Sequence, residues 1–326
     1  MRAWRVHEFG EPHDVLRLED DVPEPAATGD GIVVEVDAAA LNFADVLLCQ
    51  GRYQERPPPP FVPGFEVAGR VATPGPGLAE GCRVAAMCEF PHGGLAQRTM
   101  VPAAAALPIP DQLPAIPAAA MQITYLTAHA ALHRRAGLRS GETLLVHAGA
   151  GGVGSAAIQL GKAAGARVIA TAGGPSKLDL CRRLGADLVI DYQAGDFAAP
   201  VLEFTGGRGA DVIVDPVGAE VFDRSRKAVA FEGRIVVVGF AGGAAAAAPT
   251  NHALVKNYSV VGLHWGLYRK RAPQVVADTH AAVMELYAAG AIDPVVSEVL
   301  AFEDVPSGLR RLYSRDTVGK LVVAMT

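Results

Sequence analysis

Of the 326 residues, 50% are hydrophobic and 19% charged, and the formal net charge is −5. This composition excludes a disordered chain, and the mild acidity argues against a general affinity for nucleic acid or an anionic membrane. The length is about twice that of a common single domain, so two domains are expected. The 36 Gly and 23 Pro follow no fixed period, which points to many tight connections and not to a rod.

From the N-terminus, residues 31–37 and 63–71 are Val-rich and bounded by Gly or Pro, with a turn cluster at 73–77, so the first third reads as mainly β. The run from Pro57 to Pro60 cannot donate backbone hydrogen bonds and reads as an extended surface loop. Cysteines at 49, 82, 88 and 181 show no paired spacing, and the start of the chain carries no signal-peptide pattern, so a reduced, cytoplasmic setting is expected. Two uncharged stretches, 112–133 and 235–255, contain Pro, Asn, Gln or His within the length of a bilayer helix and read as core segments and loops, not membrane spans.

Beyond residue 120 the texture changes. Apolar strand patterns at 143–147, 167–171, 188–190, 211–215, 234–239 and 258–263 alternate with helical patterns, among them 177–184 and 219–230. Such alternation means an α/β doubly wound parallel sheet covered by helices on both faces. The tail returns to mixed helix and strand and ends in the strand pattern Gly319 to Val323, too little to fold alone and expected to pack onto the first domain. The expected division is therefore 1–121, 122–265, and a return to the first domain over 266–326.

The strongest motif is His147-Ala-Gly149-Ala-Gly151-Gly152-Val-Gly154, directly after one strand and directly before a helix. In such a turn Gly149 lets the backbone reverse, Gly151 and Gly152 let a pyrophosphate approach the amides, and Gly154 permits close helix-to-sheet packing. The helix N-terminus then faces the phosphates. An NAD enzyme usually carries an acid at the end of the second strand to hold the ribose 2′-hydroxyl. Here the run is Thr171-Ala-Gly173-Gly-Pro-Ser-Lys177, with no acid and one cation, so NADPH is the better fit. An ordinary solvated helix residue is the competing reading of Lys177, and packing competes with a phosphate contact for Tyr192.

These residues, in this order, resemble the medium-chain dehydrogenase/reductase superfamily, and within it the zinc-independent quinone oxidoreductases related to zeta-crystallin. The resemblance runs along the whole chain: Leu41 to Asp45 with Gly51 to Tyr53, Pro63 to Glu66, Thr124 to His129, the glycine turn, Lys177 ahead of Leu184 to Asp187, and Gly319-Lys320. It implies a GroES-like catalytic domain split around a Rossmann domain, with NADPH in the cleft between them, and a homodimer paired near 258–263. By the same resemblance Ala150, Gly151, Gly152 and Val153 meet the pyrophosphate. Gly173, Lys177 and Tyr192 meet the 2′-phosphate, and Asn42, Thr127, Gly239, Phe240, Leu263 and Trp265 line the nicotinamide end. The zinc-dependent alcohol dehydrogenases of the superfamily hold their metal with a Cys near the position of Asn42 and a His at that of Phe65. An amide and a phenyl ring do not replace those ligands, so no metal is expected, and the His129/His133 spacing on an Ala-rich helical stretch does not alter this. Many of the closer relatives carry a Tyr where this chain has Leu47, which leaves a more apolar pocket here.

Without zinc, alcohol oxidation is disfavoured. Reduction of a quinone or another α,β-unsaturated carbonyl fits better, because hydride addition creates an enolate-like oxygen that neutral donors stabilise. Tyr53 and Asn42 are the candidate catalytic donors. Asp45 and Glu66 are expected to be ordinary carboxylates, leaving water or Tyr53 as the proton source. Two alternatives remain. One is an enoyl-thioester or alkenal reductase, toward which the basic run Tyr268-Arg-Lys-Arg271 leans. The other is an NADPH-binding structural or regulatory protein with little turnover.

Overall fold

The computed structural model describes residues 1–325. It falls into two compact units, Met1–Ile123 joined by the segment from Pro294 onward, and Thr124–Asp293. The first unit contributes β1 (Ala3–Val6), β2 (Leu16–Glu19), β3 (Gly31–Ala40), β4 (Glu66–Thr73), β5 (Arg83–Met87), β6 (Arg98–Pro102) and β7 (Ala106–Pro108). The second contributes β8 (Thr143–Val146), β9 (Arg167–Ala172), β10 (Leu188–Asp191), β11 (Ala210–Asp215), β12 (Val229–Val237) and β13 (Ser259–Gly262), and the chain then closes the first unit with β14 (Val296–Leu300) and β15 (Lys320–Ala324).

In the first unit the order β14-β15-β3-β4-β5-β7, with β6 also paired to β3, makes a mostly antiparallel sheet. The last strand of the chain lies inside this sheet: Val322 sits opposite Ala40 and Ala324 opposite Ala38. The core is built from alternate apolar residues such as Ile32, Val34, Val36, Val67 and Val84, joined by Leu321 and Val323 of β15. The Trp4 indole N–H donates to the Phe302 carbonyl at 2.8 Å, a second tie between the two ends of the chain.

The second unit has a six-stranded sheet, β10-β9-β8-β11-β12-β13, in which every pairing is parallel. β8 and β11 are buried almost throughout, which is why they read as continuous apolar runs and not as alternation. Strand order reverses between β8 and β11, and in open α/β sheets ligands bind outside the carboxyl ends of the strands at such a switch point. The glycine turn follows β8 directly. This is the Rossmann arrangement, and the α/β reading with a second, mainly β unit holds.

One boundary differs from the sequence reading. The chain re-enters the first unit at Pro294, not at 266. The helix Pro273–Ala288 packs its buried Val276, Thr279, His280, Val283 and Met284 within the second unit, next to the helix Thr124–His129. Asp293 is then pinned there: the Tyr125 hydroxyl and Gln159 Nε2 donate to its carbonyl at 3.0 and 2.9 Å, and its amide donates to Gln159 Oε1 at 2.6 Å. No helix among the described residues is long and apolar enough to cross a membrane.

Candidate active site

At the end of β8 the chain turns at His147, which is fully buried. Ser225 donates its hydroxyl hydrogen to the Val221 carbonyl at 2.7 Å, so toward His147 Nε2, at 2.9 Å, it can only accept. His147 is therefore the neutral Nε2–H tautomer, with Nδ1 accepting from the Thr171 hydroxyl at 3.0 Å. Burial holds its pKa down to about 4, against the opposing charge of Asp215. This histidine fastens β8 to β9 beneath the glycine turn and takes no ligand. The turn continues through Ala148, at φ 51°, and the Gly149 amide donates to the Thr171 carbonyl at 2.9 Å.

Gly154 cannot be any other residue without moving the backbone, because a Cβ there would lie 2.1 Å from the Ala148 carbonyl oxygen. The helix Gly152–Ala163 consequently starts hard against the turn, and the first-turn amides of Gly152 and Val153 lie at its N-terminus beside Ala150 and Gly151. Such an end favours an anion. At the end of β9 a Cβ on Gly173 would meet the Tyr192 hydroxyl at 2.7 Å, so the structure brings these two predicted residues together. Lys177 stands in the first turn of the helix Pro175–Arg183, which carries no acid there.

Elsewhere in the second unit Thr127 is buried on the helix Thr124–His129, and Leu263 is buried with its amide donating to the Val237 carbonyl at 3.0 Å. Gly239 and Phe240 follow β12, with the half-exposed Phe240 ring lying over Gly218. Trp265 is buried and stacks on Tyr268 at 5.3 Å, while its indole N–H has no partner among the described residues.

In the first unit, Asn42 begins the helix Phe43–Cys49 and is bound on both sides. Its Nδ2 donates to Glu66 Oε1 at 2.9 Å and to the Ala40 carbonyl at 3.2 Å, and its Oδ1 accepts from Lys320 Nζ at 2.7 Å. This orientation is dictated by chemistry, since an ammonium only donates and a carboxylate only accepts. Both amide hydrogens are thus in use. The expectation that Asn42 donates to an enolate-like oxygen is corrected: both amide hydrogens are spent within the protein, and the side chain also takes part in a capping box with Asp45. Lys320 spends its other two hydrogens on the Leu41 carbonyl and Glu66 Oε1, at 2.7 and 2.9 Å, and Glu66 Oε2 accepts the Ile123 amide at 2.7 Å.

Asp45 differs from expectation too. It is fully buried, and burial raises its pKa to about 7 although both oxygens accept backbone N–H bonds, from Asn42 at 2.8 Å and Gly64 at 3.1 Å. It braces the Asn42 turn. Tyr53 packs edge-on against Phe65 at 5.0 Å, and Phe65 against Phe90 at 5.0 Å, so the tyrosine stands at the margin of an aromatic wall. The sequence reading missed Lys320 as a site residue. It lies 278 positions from Asn42, and only the terminal Gly319-Lys320 motif drew notice to it.

The comparisons with known proteins cover the whole chain. The alcohol dehydrogenase GroES-like domain matches residues 28–111 and the zinc-binding dehydrogenase family matches 152–281. A quinone oxidoreductase-like protein 2 homolog of Nematostella vectensis is 37% identical over 327 residues, covering 99% of this chain and 88% of that protein. Among solved structures, the quinone oxidoreductase of Thermus thermophilus, determined also in complex with NADPH, superposes with a TM-score of 0.86 at 36% identity and covers 100% of both chains. The CurK enoyl reductase does so with a TM-score of 0.87 at 25% identity, covering 100% of this chain and 99% of that one.

Proposed function

Because the chain belongs to the quinone oxidoreductases of the medium-chain dehydrogenase/reductase superfamily, we propose that it reduces quinones or related α,β-unsaturated carbonyls without zinc. NADPH is its cofactor, and the residues present fit it. Supporting the reading most is the end of β9, where the run Thr171 to Lys177 itself carries no carboxylate, Lys177 stands in the next helical turn, and the Tyr192 hydroxyl lies over Gly173. The glycine turn and the N-terminus of the helix Gly152–Ala163 would hold the pyrophosphate. Asn42, Thr127, Gly239, Phe240, Leu263 and Trp265 would line the nicotinamide end.

When bound, NADPH supplies a hydride equivalent. What the chain supplies is orientation, an apolar pocket and one neutral donor. Tyr53 donates its hydroxyl to the acceptor's carbonyl oxygen and lowers the cost of the charge that develops there, and water or the same hydroxyl delivers the proton. The zinc-free reading rests on donor chemistry: the Asn42 amide is already held by Glu66 and Lys320, and the Phe65 ring is packed against Phe90.

We also place the protein in the cytoplasm, in keeping with its four free cysteines, and as a homodimer joined along β13. That strand is the outer edge of the sheet with Val260 partly exposed, and the helix before it exposes Leu254 and Val255 almost fully.

A second reading, an enoyl-thioester reductase, draws on the likeness to the CurK enzyme and on one contact. The Arg134 guanidinium lies 5.7 Å above the Tyr268 ring, which gathers Arg134 and the basic run Arg269 to Arg271 on one surface able to hold an anionic acyl carrier. The deciding experiment is oxidation of NADPH, with NADH in parallel, by metal-free protein against a panel of quinones, enones and enoyl thioesters. Turnover of quinones or enones with a preference for NADPH is expected. Turnover of thioesters alone would replace the first reading by the second, and tight NADPH binding without any turnover would leave a binding protein.

A further inference from the structure

Away from the residues assigned above, one pair of side chains in the second unit stands close enough to share a ligand. His129 closes the helix Thr124–His129, and the chain runs on without a break into a π-helical stretch, Ala130–Arg135, that carries His133. The widening shows in the Ala136 amide, which donates to the Ala131 carbonyl at 2.9 Å. The two imidazole centres lie 4.4 Å apart with their planes at 47°. His129 is half-buried and His133 exposed, and neither ring has a hydrogen-bond partner among the described residues. At neutral pH such rings are largely uncharged and present a lone pair.

The spacing decides what the pair could hold. With a metal–nitrogen bond of about 2.1 Å the ion lies about 3.2 Å from each ring centre, and centres 4.4 Å apart then subtend an angle of about 90°, whereas tetrahedral zinc asks for about 109° and centres about 5.2 Å apart. The neighbouring cations are engaged elsewhere: the Arg134 guanidinium lies 5.7 Å above the Tyr268 ring, and Arg135 Nε donates to the Gly262 carbonyl at 3.1 Å. Their charge repels any cation, so an ion that binds here is held by its bonds to nitrogen, which excludes Mg²⁺ and Ca²⁺. We propose that His129 and His133 form a bis-imidazole site for one divalent transition-metal ion, Ni²⁺ or Cu²⁺ in preference to Zn²⁺. Among the described residues no third His, Cys, Asp or Glu joins them, so water fills the remaining positions. The pair belongs to the second unit and Asn42 and Phe65 to the first, and no step of the reduction depends on it.

The test is titration of the full chain with NiCl₂ by calorimetry, and with CuCl₂ by electron paramagnetic resonance, in wild type, His129→Gln, His133→Gln and the double variant. Wild type should bind one Ni²⁺ per chain, and either single change should weaken it at least about tenfold, because a lone imidazole cannot chelate. The double variant should lose less than about twofold beyond either single one, as two residues acting as one site require. Cu²⁺ spectra should show coupling to two nitrogens in wild type and to one in each single variant. His133 is exposed, so His133→Gln keeps the test open should His129→Gln fail to fold. Binding as strong in the double variant as in wild type would show an adventitious ion only. Unchanged binding in His133→Gln would leave two rings that merely pack, and Zn²⁺ held more tightly than Ni²⁺ would contradict the right-angle geometry; each of these outcomes overturns the proposal.

Discussion

At the scale of single residues, cofactor choice turns on one cation. Lys177 sits one helical turn beyond a strand end without an acid, and a lysine there offers a point charge to a phosphate but little to a hydroxyl. One charge-assisted bond is worth about 1.5–3 kcal/mol. Lys177→Ala should therefore weaken NADPH roughly ten- to a hundredfold and leave NADH nearly unchanged, and equal losses for both cofactors in a titration would remove the assignment. This part of the site was legible because it is local: strand end, glycines and lysine lie within a few residues of each other. Asn42 shows the opposite case. Its residue type suggested a hydrogen-bond donor, but partners from β4 and from the far end of the chain hold the amide on both sides and leave no hydrogen to donate. No spacing rule reaches from residue 42 to residue 320.

At the scale of elements, the second unit was the more readable. Strands buried on both faces are continuous apolar runs, and the crossover helices between them carry their own amphipathic period, so β8, β9 and β11 stood out and their alternation with helices marked the rest. The short strands of the first unit did not. β1, β2 and β14 have only four or five residues each, below the length at which alternation is distinctive. The helices Trp265–Arg271 and Pro273–Ala288 were read as tail because an amphipathic pattern reveals that a face is buried without revealing which core buries it. The edge strand β13 carries the prediction at this scale. Its outer side has no neighbour in the described sheet, Val260 is 39% exposed, and Leu254 and Val255 are 77% and 78% exposed. Burying the largely exposed Leu254 and Val255 is worth up to about 1.5–3 kcal/mol each, with a smaller gain at the partly buried Val260. Val260→Lys should yield monomers in sedimentation at concentrations where wild type is dimeric, since a lysine on an edge strand opposes pairing, and NADPH binding should persist. A wild-type monomer, or a variant that stays dimeric, would contradict pairing along β13.

At the scale of the whole molecule, the two units carry buried titratable groups of opposite kind. In the first, burial raises the Asp45 pKa from 3.8 to about 7. Between these values the folded unit keeps a proton that the unfolded chain releases, so its stability falls as pH rises through this window and levels off above it. At 1.36 kcal/mol per unit the effect is about 4 kcal/mol. In the second unit His147 is pushed from 6.5 down to about 4, first by burial. Here the unfolded chain takes up the proton, so stability is complete above the unfolded value and is lost as pH falls toward about 4, by about 3 kcal/mol. His129, lowered to about 4 by burial and by the neighbouring His133, acts in the same direction. Between about pH 4 and 6.5 the two slopes therefore oppose each other. If the units unfold separately, calorimetry should show one transition descending and the other climbing as pH is raised. If they unfold together, the two histidines outweigh the one carboxyl and stability rises with pH, less steeply than the histidines alone would make it. Asn at position 45 distinguishes the groups in either case: Asp45→Asn removes the descending term, and stability should then rise with pH more steeply than in wild type. His147→Gln should do the reverse and flatten the dependence, since the rise from His129 is then offset by the fall from Asp45. An Asp45→Asn variant whose stability follows the wild-type curve across this range would mean that the buried carboxyl holds no proton, and that Lys320 and the two backbone amides outweigh its burial.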